Sequence, residues 1–191
     1  MAEAPYPLPD GLPIPEDDGA AAHLEGLALP SLALAATNGG GVDLSSEPGR
    51  VVVYLYPKTG QPGTAMPEGW DAIPGARGCT PQSCAFRDHH AELTAAGVAA
   101  VFGLSTQSTA YQREAAERLH LPFPLLSDAD LALTDALGLP TFTAVGERLV
   151  KRLTLVIDSG RITKSFYPVF PPDRNASDVL AWLAAAPGAG S

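Results

Sequence analysis

Apolar residues recur along this chain in two rhythms, and the changes between them predict where strands give way to helices. "LALPSLALAATNGGGVDLSS" alternates apolar positions on either side of Asn38-Gly39-Gly40-Gly41, which predicts an N-terminal β-hairpin. "RVVVYLYP" is β-branched and aromatic almost throughout, as a strand covered on both faces is, and it stops at Pro57. "CAFRDHHAELTAAG" then places Phe86, Leu93 and Ala96 near one helical face, with Gly97 as the stop. "VAAVFGLST" reads as the next buried strand. "TAYQREAAERLHL" reads as a helix with Tyr111, Ala115 and Leu119 as its apolar stripe and Thr109 with Gln112 as a capping box. A short run "FPLLSD", a short helix "ADLALTDALG", a hairpin "KRLTLVIDSGRITKSFYP" turning at Asp158-Ser159-Gly160, and a last helix "DVLAWLAAAP" stopped by Pro187 complete the series. Strand–helix–strand units followed by a hairpin and a terminal helix predict an α/β fold with a mixed central sheet flanked by helices.

Two stretches follow neither rhythm. Residues 1–24 are rich in Pro, Ala and acidic side chains and are expected to form a flexible tail, leaving 25–187 as one domain. Residues 58–77 carry Gly, Pro and single polar residues without a period, so a loop inserted here is expected to be functional or mobile.

Composition narrows the function classes. At 191 residues and 46% hydrophobic content the chain supports one full core, and its net charge of -9 without Lys/Arg clusters argues against a nucleic-acid partner. The opening "MAEAPYPLPDG" lacks a basic n-region and an apolar h-region, and the greasiest run, "LALPSLALAA", is broken by Pro30 and short of a bilayer span. A cytoplasmic protein without membrane association is therefore expected. In a reducing compartment a structural disulfide is disfavoured, so close cysteines point to redox or metal chemistry.

The chain has two cysteines, Cys79 and Cys84, both within "RGCTPQSCAFRD". Their spacing is neither CxxC nor a common zinc pattern, and His89 and His90 point to different faces, so no metal site is expected. Gly78 permits a tight entry into a helix, Thr80 is placed as an N-cap and Pro81 suits the first helical position, which sets Cys79 at the positive helix end. Within one helix, five residues rise ~7.5 Å, giving a Cα separation beyond the ~7 Å limit of a disulfide. The two sulfurs cannot bond while that helix is intact. The plainer alternative is a pair of buried small hydrophobes.

The ordered fragments "YLYPK", "GCTPQSCAFRD", "FGLSTQS", "LPFPLLSD" and "RLTLVIDSGRI", spread over about Leu27 to Trp182, resemble a peroxiredoxin of the bacterioferritin-comigratory or Q-type branch. The resemblance implies a thioredoxin-like fold with an extra N-terminal β-hairpin. It implies thiol-dependent reduction of hydrogen peroxide and organic hydroperoxides without a cofactor. Cys79 would be the peroxide-attacking thiolate, Cys84 the resolving thiol, and Arg152 the strand arginine facing the sulfur. Thioredoxin or glutaredoxin would be the reductant, and the protein a monomer or weak homodimer.

The chain departs from the family pattern Pro-x-x-x-Thr-x-x-Cys. Ala76 stands where the Thr is expected, and Pro57 is separated from Cys79 by the 58–77 loop. Either the loop returns Thr59 or Thr64 to the sulfur, or other donors suffice. Pro74 is an alternative shielding proline, so Pro57, Pro74, Ala76, Arg77, Gly78 and Thr80 form the candidate pocket, with Trp70 at its entrance. Two other functions stay open at this level. One is dithiol–disulfide exchange, weakened by the absence of CxxC and by Lys151, not a proline, before Arg152. The other is a non-catalytic binding module that docks through the loop.

Overall fold

Val51 to Leu55 are buried without exception, because their strand lies in the middle of a sheet with helices or loops on both faces. In the computed structural model, residues 7–185 are described. The strands are β1 (Ala33–Ala36), β2 (Gly41–Asp43), β3 (Arg50–Leu55), β4 (Val98–Ser105), β5 (Leu125–Ser127), β6 (Thr141–Ala144), β7 (Glu147–Val150), β8 (Leu153–Asp158) and β9 (Arg161–Phe166). The helices are α1 (Cys79–Asp88), α2 (His90–Ala95), α3 (Thr109–Arg118), α4 (Ala132–Leu137) and α5 (Asn175–Ala185). The main sheet runs β2-β1-β5-β4-β3-β8-β9. Its centre, β3, β4 and β5, is parallel, and the N-terminal hairpin and the β8–β9 hairpin extend it antiparallel on either side.

The period of two along β3 divides the core. Val51, Val53 and Leu55 join Leu104, Leu126, Leu133, Leu137 and Leu155 on the face covered by α4 and the N-terminal segment. Val52 and Tyr54 join Phe86, Leu93, Ala115, Val179 and Leu183 on the face covered by α1, α2, α3 and α5. The mixed sheet, the flanking helices and the N-terminal hairpin agree with the architecture expected from the sequence.

Several local expectations need correction. The helix read as continuous to Ala96 starts at Cys79 and breaks at His89 (φ -96, ψ 7), and Ala96 is exposed. Helix α3 is capped by Ser108, whose Oγ accepts from Tyr111 N at 3.2 Å. Gln112 is no capping partner: its buried amide accepts from Tyr56 OH (2.8 Å) and donates to Leu126 O and Gln107 O, tying α3 to the sheet. The last helix begins at Asn175, before the expected Asp178, while Pro187 lies outside the described residues. A separate hairpin, β6–β7, turns at Val145 and Gly146, both at positive φ.

Residues 7–24, expected as part of a tail, lie along the domain: Ala21 and Leu24 are buried, and the His23 ring bonds Leu137 O at 2.9 Å. Residues 1–6 of that expectation fall outside the described residues. The 58–77 loop holds one 3-10 turn, Trp70–Ala72, and Trp70, Ala76 and Leu149 bury together as a small second core against β6–β7. Among the described residues, no helix is long and apolar enough to cross a membrane.

Gly103 faces Tyr54 and Leu125 across the central strands. A Cβ there would lie 2.5 Å from Leu125 Cδ2 and 2.7 Å from the Tyr54 ring. Gly103→Ala is therefore expected to lower the unfolding free energy by about 1–3 kcal/mol in urea titration. An unchanged midpoint would show that the sheet yields at this point.

Candidate active site

Helix α1 starts where only glycine fits. Gly78 has φ +107, and a Cβ on it would lie 2.3 Å from Pro172 Cγ and 3.0 Å from Leu8 Cδ2. The cap is thus Gly78, not Thr80 as expected, and Cys79 is the first helical residue. Pro81 consequently sits at the third helical position, inside the first turn, where backbone N–H groups lack intrahelical acceptors in any case. Cys79 is buried at this end, where unpaired N–H groups favour negative charge.

Arg152, directly before β8, reaches the same point. Its Nη2 donates to Cys79 Sγ at 3.2 Å, to Ala76 O at 3.1 Å and to Arg77 O at 3.2 Å. Nη1 donates to Gln82 Oε1. Gln82 Nε2 in turn donates to Asn175 Oδ1 at 2.9 Å, and that oxygen also accepts from Thr154 Oγ1 at 2.6 Å. Arg152 is 3% exposed, and among the described residues no carboxylate pairs with it. Of its hydrogen-bond partners, only the Cys79 sulfur is able to carry a compensating negative charge.

Among the described residues no hydroxyl donates to the sulfur; the carbonyl of Ala76 instead accepts from the Cys79 thiol, and Arg152 is the side-chain donor. Cys79 Sγ lies 3.7 Å from Ala76 O, and this carbonyl and Arg152 Nη2 are its hydrogen-bond partners among the described residues. Neither loop threonine bonds the sulfur. Thr59 is buried with its Oγ1 unpartnered, its N–H donating to Gln107 Oε1 and its carbonyl accepting from Tyr111 OH, while Thr64 is exposed.

A cavity of about 320 Å³ opens onto Cys79, walled by Leu8, Met66, Trp70 and Arg77 together with Gly78 and Thr80. Of the pocket residues expected from the sequence, the structure gathers Ala76, Arg77, Gly78 and Thr80 around Cys79 and Arg152. Pro57 is buried, its carbonyl accepting from Ser105 Oγ at 3.2 Å, and is not in the cavity wall. Pro74 is exposed and lines a neighbouring cleft with Lys151 and Tyr167, because Gly75 (φ +77) turns the chain before Ala76.

Cys84 lies on the same intact helix, and both thiols are free. That helix is held to the sheet by Tyr54, which donates to Ser83 Oγ at 3.0 Å and stacks on Phe86 with ring centroids 4.5 Å apart. Burial pushes the Cys84 thiol up, with Arg87 opposing and Asp88 reinforcing the shift. Gln82 and Asn175 were not anticipated. Gln82, three residues after Cys79, shares its helical face and was within reach of a spacing argument. Asn175 approaches from the far end of the chain and had no local signal.

The redoxin family pattern matches residues 24–183. A chloroplastic peroxiredoxin Q of Oryza sativa subsp. japonica is 34% identical over 83% of this chain, which spans only 66% of that relative's length. The solved structure of the peroxidoxin BcpB from Mycobacterium tuberculosis has a TM-score of 0.68 at 28% identity, covering 85% of this chain and 97% of that one. A Xanthomonas campestris bacterioferritin comigratory protein, whose structures were studied for alkyl peroxide reduction activity, has a TM-score of 0.64 at 25% identity, covering 83% and 96%.

Burial disfavours the Cys84 thiolate, so alkylation of Cys84 in a Cys79→Ser variant should rise with pH to a midpoint above the ordinary thiol value of about 8.5. A midpoint at or below that value would contradict the burial account.

Proposed function

This chain belongs to the redoxin family, in its peroxiredoxin Q and bacterioferritin-comigratory branch, and from that premise we propose that it is a thiol-dependent peroxidase whose attacking group is Cys79. One observation carries the reading: a buried guanidinium, without a carboxylate partner among the described residues, donates to Cys79 Sγ at 3.2 Å. Arg152 and the start of α1 give a sulfur anion two sources of stabilisation. The guanidinium also supplies donors to the departing peroxide oxygen as negative charge develops there.

The steps balance with this chain's two thiols and one external dithiol. The Cys79 thiolate attacks the terminal peroxide oxygen and the O–O bond breaks; the alcohol or water leaves after taking a proton, and Cys79 becomes a sulfenic acid. The first turn of α1 then unwinds. Cys84 sulfur displaces hydroxide from Cys79, water departs after protonation, and the Cys79–Cys84 disulfide forms. A thioredoxin-type dithiol, thioredoxin or glutaredoxin, returns both cysteines to thiols and is itself oxidised. The substrates are hydrogen peroxide and organic hydroperoxides, in keeping with the alkyl peroxide reduction named for the Xanthomonas relative. The chain acts as a monomer or weak homodimer in a reducing compartment, the cytoplasm. Dithiol exchange without peroxide chemistry draws no support, since the chain has no CxxC pair.

Stopped-flow mixing of the reduced protein with hydrogen peroxide, followed by mass spectrometry, tests the assignment. Wild type is expected to yield the Cys79–Cys84 disulfide, Cys84→Ser a sulfenic acid on Cys79 prone to further oxidation, and Cys79→Ser no peroxide consumption. Retention of more than a few per cent of wild-type activity by Cys79→Ser would sink the assignment.

A further inference from the structure

We propose that the N-terminal strap, residues 7–18, is part of the active site: Leu8 completes the wall of the Cys79 cavity and sets the size of hydroperoxide that reaches the sulfur. The proposal rests on the peroxidase reading for its substrate, while its geometry stands apart from it.

The tip of the strap touches the residue that begins the active-site helix. Leu8 Cδ2 lies 3.0 Å from the position a Gly78 Cβ would take, and Pro7 and Leu8 share the cavity wall with Met66 and Trp70 of the 58–77 loop. Further along, Pro15 carbons lie 3.5 Å from the Cβ position of Gly75, so the strap also covers the approach to Ala76 and Arg77.

The sequence of the strap makes it an arm, not a loose end. Pro7, Pro9, Pro13 and Pro15 each fix one backbone angle, which stiffens the run. Gly11 interrupts it at φ +75 with open space around it. The arm is fastened at its far end. Asp18 accepts from Lys151 Nζ at 2.7 Å and from Tyr167 OH at 2.8 Å, and the Lys151 hydrogen bond leads in holding its carboxyl well below the usual carboxylate range. Ala21 and Leu24 then enter the core. Lys151 is the neighbour of Arg152, so the fastening sits beside the catalytic centre.

The consequence for specificity is steric. At about 320 Å³ the cavity is at the small end of ligand sites. Hydrogen peroxide enters without meeting Leu8. A tertiary aryl hydroperoxide must press against Leu8, Met66 and Trp70, or push the strap aside.

The test uses the full-length chain with Cys84→Ser, so that Cys79 is the sole reactive thiol, and adds Leu8→Ala, Leu8→Trp or Asp18→Asn. Two ratios are read: alkylation of Cys79 by fluorescein maleimide relative to iodoacetamide, and oxidation by cumene hydroperoxide relative to hydrogen peroxide. Leu8→Ala is expected to raise both bulky-to-small ratios roughly threefold or more, and Leu8→Trp to lower them comparably. Asp18→Asn should move them in the direction of Leu8→Ala. Circular dichroism and thermal melting verify that each variant is folded. Unchanged alkylation ratios in both folded Leu8 variants would overturn the proposal, whatever the peroxide activity. Shifted alkylation ratios in a protein that ignores all peroxides would uphold the strap's role and reject the peroxidase reading instead.

Discussion

A guanidinium excluded from water calls for acceptors, and the architecture around Arg152 supplies them to both terminal nitrogens while its buried Nε is left without one. Its four partners lie in one short stretch of the chain: Ala76 and Arg77 at the end of the long loop, Cys79 at the helix start, and Gln82 one turn later. Gln82 is held by Asn175 at the start of α5, and Asn175 is held by Thr154 on β8, next to the strand residue that follows Arg152. The polar chain closes on itself. One buried cation thereby fixes the exit of the loop, the first turn of α1 and the seating of the C-terminal helix.

The same arrangement places a conflict in α1. The helix holds Cys79 against Arg152 and the cavity, yet it keeps Cys84 too far along the axis to bond with Cys79. On the mechanism we propose, attack and resolution therefore need different backbone conformations. Unwinding of the first turn on that mechanism would release Gln82 from Arg152 and shift Gly78 relative to Pro172 and Leu8, so the strap, the polar network and the helix end would rearrange together. Tyr54, through Ser83 and Phe86, keeps the rest of α1 on the sheet while its start is rebuilt.

Local pattern revealed what local physics decides. The buried run of β3 and the Asn38-Gly39-Gly40-Gly41 hairpin were legible because burial on two faces and turn chemistry are written in adjacent residues. The β6–β7 hairpin was missed because Thr141 to Ala144 are largely half-exposed and their alternation is faint beside the long core strands. The true helix start was hidden for another reason: the space beside Gly78 is closed to any side chain by Pro172, from the other end of the domain. Cys79 and Cys84 stood out by their spacing, and Arg152 joined them only through what the family resemblance implies. The Ala76 carbonyl, Asn175 and Leu8 did not, since a backbone oxygen has no letter in a sequence and the other two arrive by tertiary packing alone.

On the proposed mechanism α1 opens between attack and resolution. Hydrogen–deuterium exchange of the α1 peptide, read by mass spectrometry in the reduced protein and after one equivalent of hydrogen peroxide, addresses this opening directly. Amides near Cys79 are expected to lose protection as the Cys79–Cys84 disulfide appears, while β3 and β4 keep theirs. Formation of that disulfide with full protection retained through the first turn of α1 would contradict the mechanism.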